Sequence, residues 1–102
     1  MIDPPFLAHL VPAQEWDAVD GASYSPQSLA TDGFIHLSTA AQVVATVERY
    51  YRDTPDLMVV TIDPVALTSL LVYEDTSGHG EFPHLYGPLN LDAVVEVHPY
   101  PR

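Results

Sequence analysis

The segment TDGFIHLSTAAQ, residues 31–42, has the pattern of a β-strand that runs directly into a helix. Alternate residues of FIHLS (34–38) project on opposite faces of a strand, so we expect His36 on the same face as Phe34 and Ser38. An imidazole in so apolar a run needs partners for its ring nitrogens if it is buried. The stretch therefore predicts a strand followed directly by a helix. It leaves open which groups His36 contacts.

The helix after this strand has the clearest signature in the chain. Thr39 followed three residues later by Gln42 forms a capping box. Behind it, apolar residues recur at helical spacing: Val43, Val44, Val47, Tyr50 and Tyr51. Glu48 and Arg52 are spaced as an ion pair on the opposite side. Free N–H groups at the helix start suit an anion, so Ser38 and Thr39 are either capping residues or ligand contacts, and the two roles are compatible.

The other elements are irregular in order, which is typical of an α+β domain. We expect strands over residues 6–11, 56–63, 71–75 and 93–100, a helix over 12–20, a polar loop over 21–32, and one or two helical turns in PVALTSL (64–70). The unbroken apolar run DLMVVTID suits a central strand, and Pro99 and Pro101 place the last strand at a sheet edge. The sequence predicts one domain spanning residues 1–102.

Composition restricts the partners. Hydrophobic residues make up 47% of the chain, and no apolar run approaches the roughly 20 residues that span a bilayer. The amino terminus MIDPPFLAHL has no signal-peptide pattern, so we expect a cytoplasmic protein with no membrane contact. With 14 acidic residues, three arginines and a net charge of −11, nucleic acid is an unlikely partner, and a small-molecule ligand is expected. Oligomeric state is left open.

Three of the five histidines are embedded in apolar sequence: His9, His36 and His84. Each is either a structural histidine satisfied by backbone carbonyls or part of a cleft that all three share. His79, flanked by glycines, and His98, near the terminus, are expected at the surface.

Three further side chains are candidates for a site. Glu74 ends a predicted strand and could be a catalytic carboxylate, or simply one of the 14 acidic residues that solvate the surface. Tyr24 and Tyr86 offer flat faces for an aromatic ligand, or pack over the edge of the core. The turn at Gly87-Pro88 would hold His84 and Tyr86 in place.

Established catalytic signatures are lacking. No Walker loop, G-x-G-x-x-G, H-E-x-x-H or G-x-S-x-G pattern occurs. The chain has no cysteine, and its histidines lack the H-x-H or H-x-x-x-H spacing of metal ligands, so a histidine metal site is only a minor alternative and no metal residue is predicted.

The chain resembles a bacterial family catalogued as domain of unknown function 952. The likeness runs through EW, Y-x-P-x-SLA-x-DGFIHLST-x-x-Q, RYY, DL-x-x-x-x-ID-x-x-x-L and E-x-x-x-x-x-GEFPHLYGPLNLDAVV-x-V, and it covers nearly the whole chain. The blocks GFIHLS and FPHLYGPL carry most of its specificity.

That family is similar in fold to the ADP-ribosyltransferase superfamily, which implies a split, strongly bent mixed sheet with flanking helices around a nucleotide cleft. The nearest motif likeness is to the RNA 2'-phosphotransferase branch, where a segment like FIHLS precedes an apolar strand ending in an acidic residue, as VVTID does here. The resemblance matches His36 to the second histidine of that segment. It also implies that His9 contacts a ribose hydroxyl group. Phe34 stands where that branch has its first histidine, and that branch uses arginines around its cleft, whereas this chain has three arginines in all and no lysine.

The resemblance implies an ADP-ribosyltransferase-like protein that binds NAD or a related nucleotide. In this hypothesis His9 and His36 orient ribose and phosphate, a tyrosine stacks on nicotinamide, and Glu74 or His84 acts where positive charge develops at the anomeric carbon. Whether the protein is an enzyme is left open. The alternatives are a non-catalytic binding or sensing module and a histidine metal site.

Overall fold

A computed structural model describes residues 5–102; the first four residues of the predicted domain and of the stretch MIDPPFLAHL lie outside the described part. The α+β class is confirmed. The strands are β1 (Leu7–Pro12), β2 (Ser23–Tyr24), β3 (Ile35–His36), β4 (Ser38–Thr39), β5 (Leu57–Ile62), β6 (Leu70–Glu74), β7 (Phe82–Tyr86), β8 (Leu89–Asn90) and β9 (Val94–Pro99), and the helices are α1 (Ala13–Asp17), α2 (Gln27–Thr31) and α3 (Val43–Tyr50). Within residues 5–102, none of the helices is long and apolar enough to span a bilayer.

The strands form separate sheets with the orders β4-β1-β5-β9, β3-β7-β6 and β2-β8. Every strand pair in the described part of the chain is antiparallel, so the predicted sheet is split, but it does not mix strand directions there. The apolar run of β5 lies inside the largest sheet, and the proline-containing β9 lies at its edge, as the sequence predicts.

The prediction of one strand over residues 34–38 is wrong. Ile35–His36 pairs with β7, whereas Ser38–Thr39 pairs with β1 in a different sheet. Between them, the Leu37 N–H donates to the carbonyl oxygen of Pro83 at 3.0 Å, and the chain crosses from one sheet to the other. Ile35 and Leu37 are both buried, so the crossing fills the core where the two sheets meet.

The core has two parts, one on each side of β5. Val60 and Ile62 pack into a cluster that contains Ile35 and Leu85 from the smaller sheet. Leu57 and Val59, on the alternate face, pack against the helix α3. One central strand therefore joins the helix to the sheet that carries the histidines His36 and His84.

The helix α3 begins as the sequence predicts and contacts the core along a narrow stripe. Thr39 and Gln42 form the capping box ahead of a 3-10 turn over Ala40–Gln42. Val43 and Val47 are buried, but Val44 and Tyr50 remain more than half exposed, at 54% and 57%. The predicted Glu48–Arg52 pair is present, with 3.9 Å between Oε2 and Nε.

Other boundaries differ from the predictions. The helix predicted over 12–20 is shorter, with Pro12 as its cap, and the predicted loop over 21–32 contains α2. In the segment 64–70 a single 3-10 turn covers Pro64–Ala66, and Leu70 already belongs to β6. The strand β7 is not predicted, because Pro83 and the polar rings of His84 and Tyr86 interrupt its apolar pattern.

Gln42 links the helix start to the neighbouring sheet, and its loss should destabilise the fold. Its Oε1 accepts from Thr39 N at 3.0 Å, and its Nε2 donates to the carbonyl oxygen of Glu81 at 2.7 Å. We expect Gln42→Ala to lower the free energy of unfolding by about 1–2 kcal/mol, since each lost hydrogen bond contributes roughly 0.5–1.5 kcal/mol. Urea denaturation measures this change. Gln27→Ala, which truncates an exposed glutamine, is the control, and an equal loss in both variants would contradict the assignment.

Candidate functional site

One face of the sheet β3-β7-β6 carries the polar chemistry of the protein, and its other face is core. His36 on β3 lies directly opposite His84 on β7, and their neighbours Ile35 and Leu85 form the adjacent pair. Because side chains alternate along a strand, the side chains of Ile35 and Leu85 are buried in the core, while both imidazoles share the opposite face. The ring centroids of His36 and His84 are 5.6 Å apart, with the rings close to perpendicular at 72°.

The imidazole of His84 is held by Glu74. Its Nδ1 lies 2.9 Å from Glu74 Oε2, which also accepts a hydrogen bond from the hydroxyl of Tyr86. The hydrogen bonds from Tyr86 and His84 lower the pKa of Glu74, and the same contact with Glu74 raises the pKa of Tyr86. An ionised carboxylate only accepts, so Nδ1 of His84 carries the hydrogen of this contact, and Nε2 is the ring nitrogen that Glu74 leaves free.

The buried ring of His84 lines a cavity. Its Nε2 has no hydrogen-bond partner in residues 5–102, and it keeps some accessible surface, because the fully enclosed polar atoms without partners in this part of the chain are Thr61 Oγ1 and His98 Nδ1. The cavity, of about 380 Å³, is lined by Leu10, His36, Leu37, Ser38, Thr46, Tyr50, Tyr51, Thr76, Ser77, Phe82 and His84. Glu74 therefore fixes the orientation of an imidazole at the cavity wall.

His36 is held by a second carboxylate, which the sequence does not single out. Its Nε2 lies 2.9 Å from Asp32 Oδ2, at the end of α2. The ring of Phe34 stacks on His84, with centroids 4.0 Å apart and planes at 16°, and its centroid lies 4.7 Å from that of His36. Phe34 thus contacts both imidazole rings.

His9 and Tyr24 satisfy each other away from the cavity. The buried His9 donates from Nδ1 to the carbonyl oxygen of His36 at 2.9 Å, and its Nε2 accepts from the Tyr24 hydroxyl at 2.8 Å. Burial lowers the pKa of His9 to about 4 and raises the pKa of Tyr24. Neither residue lines the cavity, and both have their polar atoms occupied inside the protein. Their predicted role in binding a cofactor stays a prediction that these contacts do not favour.

The remaining predicted residues are divided. Ser38 is buried, lines the cavity and lies 3.4 Å from the Thr46 hydroxyl. Thr39 caps the helix and does not line the cavity, and Tyr86 contacts the site through Glu74. Among residues 5–102 no three metal-ligating side chains come together.

Sequence reasoning missed the aromatic wall of the cavity. Tyr50 and Tyr51 end the helix α3 and Phe82 begins β7, and all three line the cavity. The two tyrosines follow the apolar helical spacing, so the sequence assigns them to the core. The only signal for Phe82 is its alternation with His84 and Tyr86 along β7.

The family follows from direct comparison. The family model described as "Protein of unknown function (DUF952)" matches residues 10–97, so the chain belongs to this family. Among curated proteins no sequence matches. The crystal structure of protein CC0527 from Caulobacter crescentus is 31% identical, with a TM-score of 0.79, and the match covers 92% of this chain and 84% of that one. The solution NMR structure of CC0527 is 28% identical, with a TM-score of 0.72 and coverage of 91% and 82%.

The buried His9 should make stability depend on pH. Its folded pKa of about 4 lies below its ordinary value of 6.5, so the unfolded chain binds a proton first as the pH falls. We expect the free energy of unfolding to be unaffected by His9 above pH 6.5 and to fall between pH 6.5 and 4, by an amount on the order of 3 kcal/mol. Urea midpoints across this range measure it.

The control for that measurement is a second histidine. His9→Gln should flatten the slope between pH 6.5 and 4, whereas His79→Gln, at an exposed position, should leave it unchanged. An unchanged slope in His9→Gln would contradict the assignment.

Chemical modification should separate His36 from His9. Diethyl pyrocarbonate reacts with an imidazole nitrogen that is unprotonated and accessible. We expect carbethoxylation at His36, whose side chain is 55% exposed, and none at His9, which is buried and whose ring nitrogens are both bonded. Peptide mass spectrometry at pH 7 reads the result, and protein unfolded in urea, where all five histidines react, is the control. Modification of His9 as fast as His36 would refute this geometry.

Proposed function

We propose that the protein binds a small nucleotide-type ligand, NAD or a related nucleotide, in the cavity and catalyses a group transfer of the ADP-ribosyltransferase type. His84 acts as the general base and Glu74 positions it. The observation that carries this proposal is the free Nε2 of His84 at the cavity wall, with Nδ1 tied to Glu74 at 2.9 Å. A base oriented by a carboxylate is a recurring device for activating a hydroxyl group or water.

The cavity walls suit the parts of a nucleoside. Tyr50, Tyr51 and Phe82 offer aromatic surface for a planar base, and the hydroxyls of Ser38 and Thr46 can contact a sugar.

The charge of the protein suits a transition state that gains positive charge at the anomeric carbon. The chain has a net charge of −11, and two carboxylates, Asp32 and Glu74, contact the histidines of the cavity. The Arg49 guanidinium lies 5.7 Å from the ring centroid of Tyr50, so one cation stands beside a cavity-lining residue, although Arg49 itself does not line the cavity.

A binding module without turnover is the second candidate. A fixed acceptor nitrogen and aromatic walls also suffice to hold a ligand, and no arginine lines the cavity to clamp a phosphate. Binding without release of nicotinamide would favour this candidate.

Thermal shift and nicotinamide release test the proposal together. NAD or ADP-ribose at 100 times Kd should stabilise the protein by about 2.7 kcal/mol and raise its Tm. Incubation with NAD should release nicotinamide, and His84→Asn should slow the release by about 100-fold or more, as for the loss of a general base. His79→Asn is the matched control at an exposed histidine.

The possible outcomes distinguish between the candidate functions. No thermal shift with either nucleotide contradicts binding, and release that is equally fast in His84→Asn contradicts the role of His84. Unfolding of His84→Asn, seen as loss of the cooperative melt, calls for Glu74→Gln in its place, because that variant keeps the imidazole and removes only the carboxylate that orients it.

A further inference from the structure

The second histidine that lines the cavity, His36, is also paired with a carboxylate, Asp32, and a single general base does not require this second pair. We propose that His36 is the proton donor of the reaction, positioned by Asp32, and that the substrate is a ribosyl compound whose leaving group departs on an oxygen atom. This inference rests on the proposed function, because it adds the acid to the base at the same site, and it narrows the substrate from NAD to a related compound whose ribose is linked through oxygen.

The two pairs are built alike on neighbouring strands. His36 and His84 are opposite in register, and each has one ring nitrogen 2.9 Å from a carboxylate oxygen. The other nitrogen of each ring, Nδ1 of His36 and Nε2 of His84, has no hydrogen-bond partner in the described part of the chain. With ring centroids 5.6 Å apart and both rings lining the cavity, one small ligand can contact both.

Asp32 is fixed by the backbone around it. It ends the helix α2, and its N–H donates to the carbonyl oxygen of Ser28 at 2.7 Å. Gly33 follows with a φ of 87°, a left-handed conformation that favours glycine, and this turn directs the chain into β3. The carboxylate is thereby held beside the His36 imidazole four residues later.

Exposure distinguishes the roles of the two rings. The side chain of His84 is 3% exposed, whereas that of His36 is 55% exposed. A ring in contact with solvent can regain a proton after each turnover, which suits the acid. The enclosed ring, fixed by Glu74 and stacked on Phe34, suits the base.

The step balances for hydrolysis of a ribosyl ether. Nε2 of His84 takes a proton from water, and the water oxygen forms a bond to the anomeric carbon. The bond from that carbon to the leaving oxygen breaks, its electron pair stays on the oxygen, and the proton on Nδ1 of protonated His36 passes to it. The products are ribose and an alcohol, and solvent returns the proton from His84 to His36.

The need for an acid indicates the leaving atom. Nicotinamide leaves NAD as a neutral pyridine and requires no proton, so a proton donor adds nothing to its departure. An alkoxide or phenoxide is a poor leaving group unless it is protonated as the bond breaks, and there a general acid contributes about 10²–10⁴-fold. The second pair is therefore useful for an oxygen leaving group.

The test compares two leaving groups on the same sugar. Phenyl β-D-ribofuranoside needs protonation, whereas p-nitrophenyl β-D-ribofuranoside leaves as a stable phenoxide. We expect Asp32→Asn to slow release of phenol by about 100-fold and release of p-nitrophenol distinctly less, as for a lost proton donor. Glu74→Gln should slow both reactions alike, and Asp20→Asn, at a carboxylate without a histidine partner in residues 5–102, is the control for charge.

Each outcome decides the inference. Equal losses on both ribosides in Asp32→Asn, or no loss on either, overturn it, and His36→Asn repeats the comparison if Asp32→Asn melts early. Nicotinamide release that depends on His84, with neither riboside cleaved, overturns this inference and leaves the proposed function standing. Intact ribosides together with no nucleotide binding overturn both.

Discussion

The short antiparallel pairing of β3 with β7 is the constraint on which the rest of the site depends. Ile35 opposite Leu85 is fully buried, and the next pair along, His36 opposite His84, faces the other way. Hydrophobic burial on one face therefore fixes the position of two imidazoles on the other. A slip of one residue in this register would move the apolar pair out of the core and turn both histidines towards it, so the same free energy that stabilises the core selects the geometry of the cavity.

The carboxylates then determine which ring nitrogen of each imidazole remains free for a ligand. Glu74 receives hydrogen bonds from both Tyr86 and His84, which lower its pKa, so His84 donates its Nδ1 hydrogen to the carboxylate and Nε2 is left without a partner in residues 5–102. In a chain with a net charge of −11, an additional anion is unfavourable unless a local donor satisfies it. The arrangement of Tyr86, Glu74 and His84 meets that condition on two adjacent strands.

The sequence predicts elements whose signal is local, and it misses what depends on pairing between distant segments. The capping box at Thr39 and the strand β5 are defined by nearby residues and are present as predicted. The break at Leu37 arises because two sheets compete for one segment, which no periodicity reveals. Asp32 lies in a stretch without an apolar pattern, and its role appears only when the turn after α2 brings it to His36. A histidine embedded in apolar sequence can be either a core residue or a cavity residue, and the sequence does not distinguish the two.

His9 illustrates the physical reason why an embedded histidine is ambiguous. The same apolar context that places His36 at the cavity places His9 in the interior, where burial keeps it neutral with a pKa of about 4. A neutral ring can donate from Nδ1 to the backbone carbonyl oxygen of His36 while accepting from Tyr24. The bond to the His36 carbonyl oxygen favours the protonated ring, but the loss of hydration on burial outweighs it and keeps His9 neutral. The structural histidine and the cavity histidine are thus linked by one hydrogen bond, from Nδ1 of His9 to the backbone of His36.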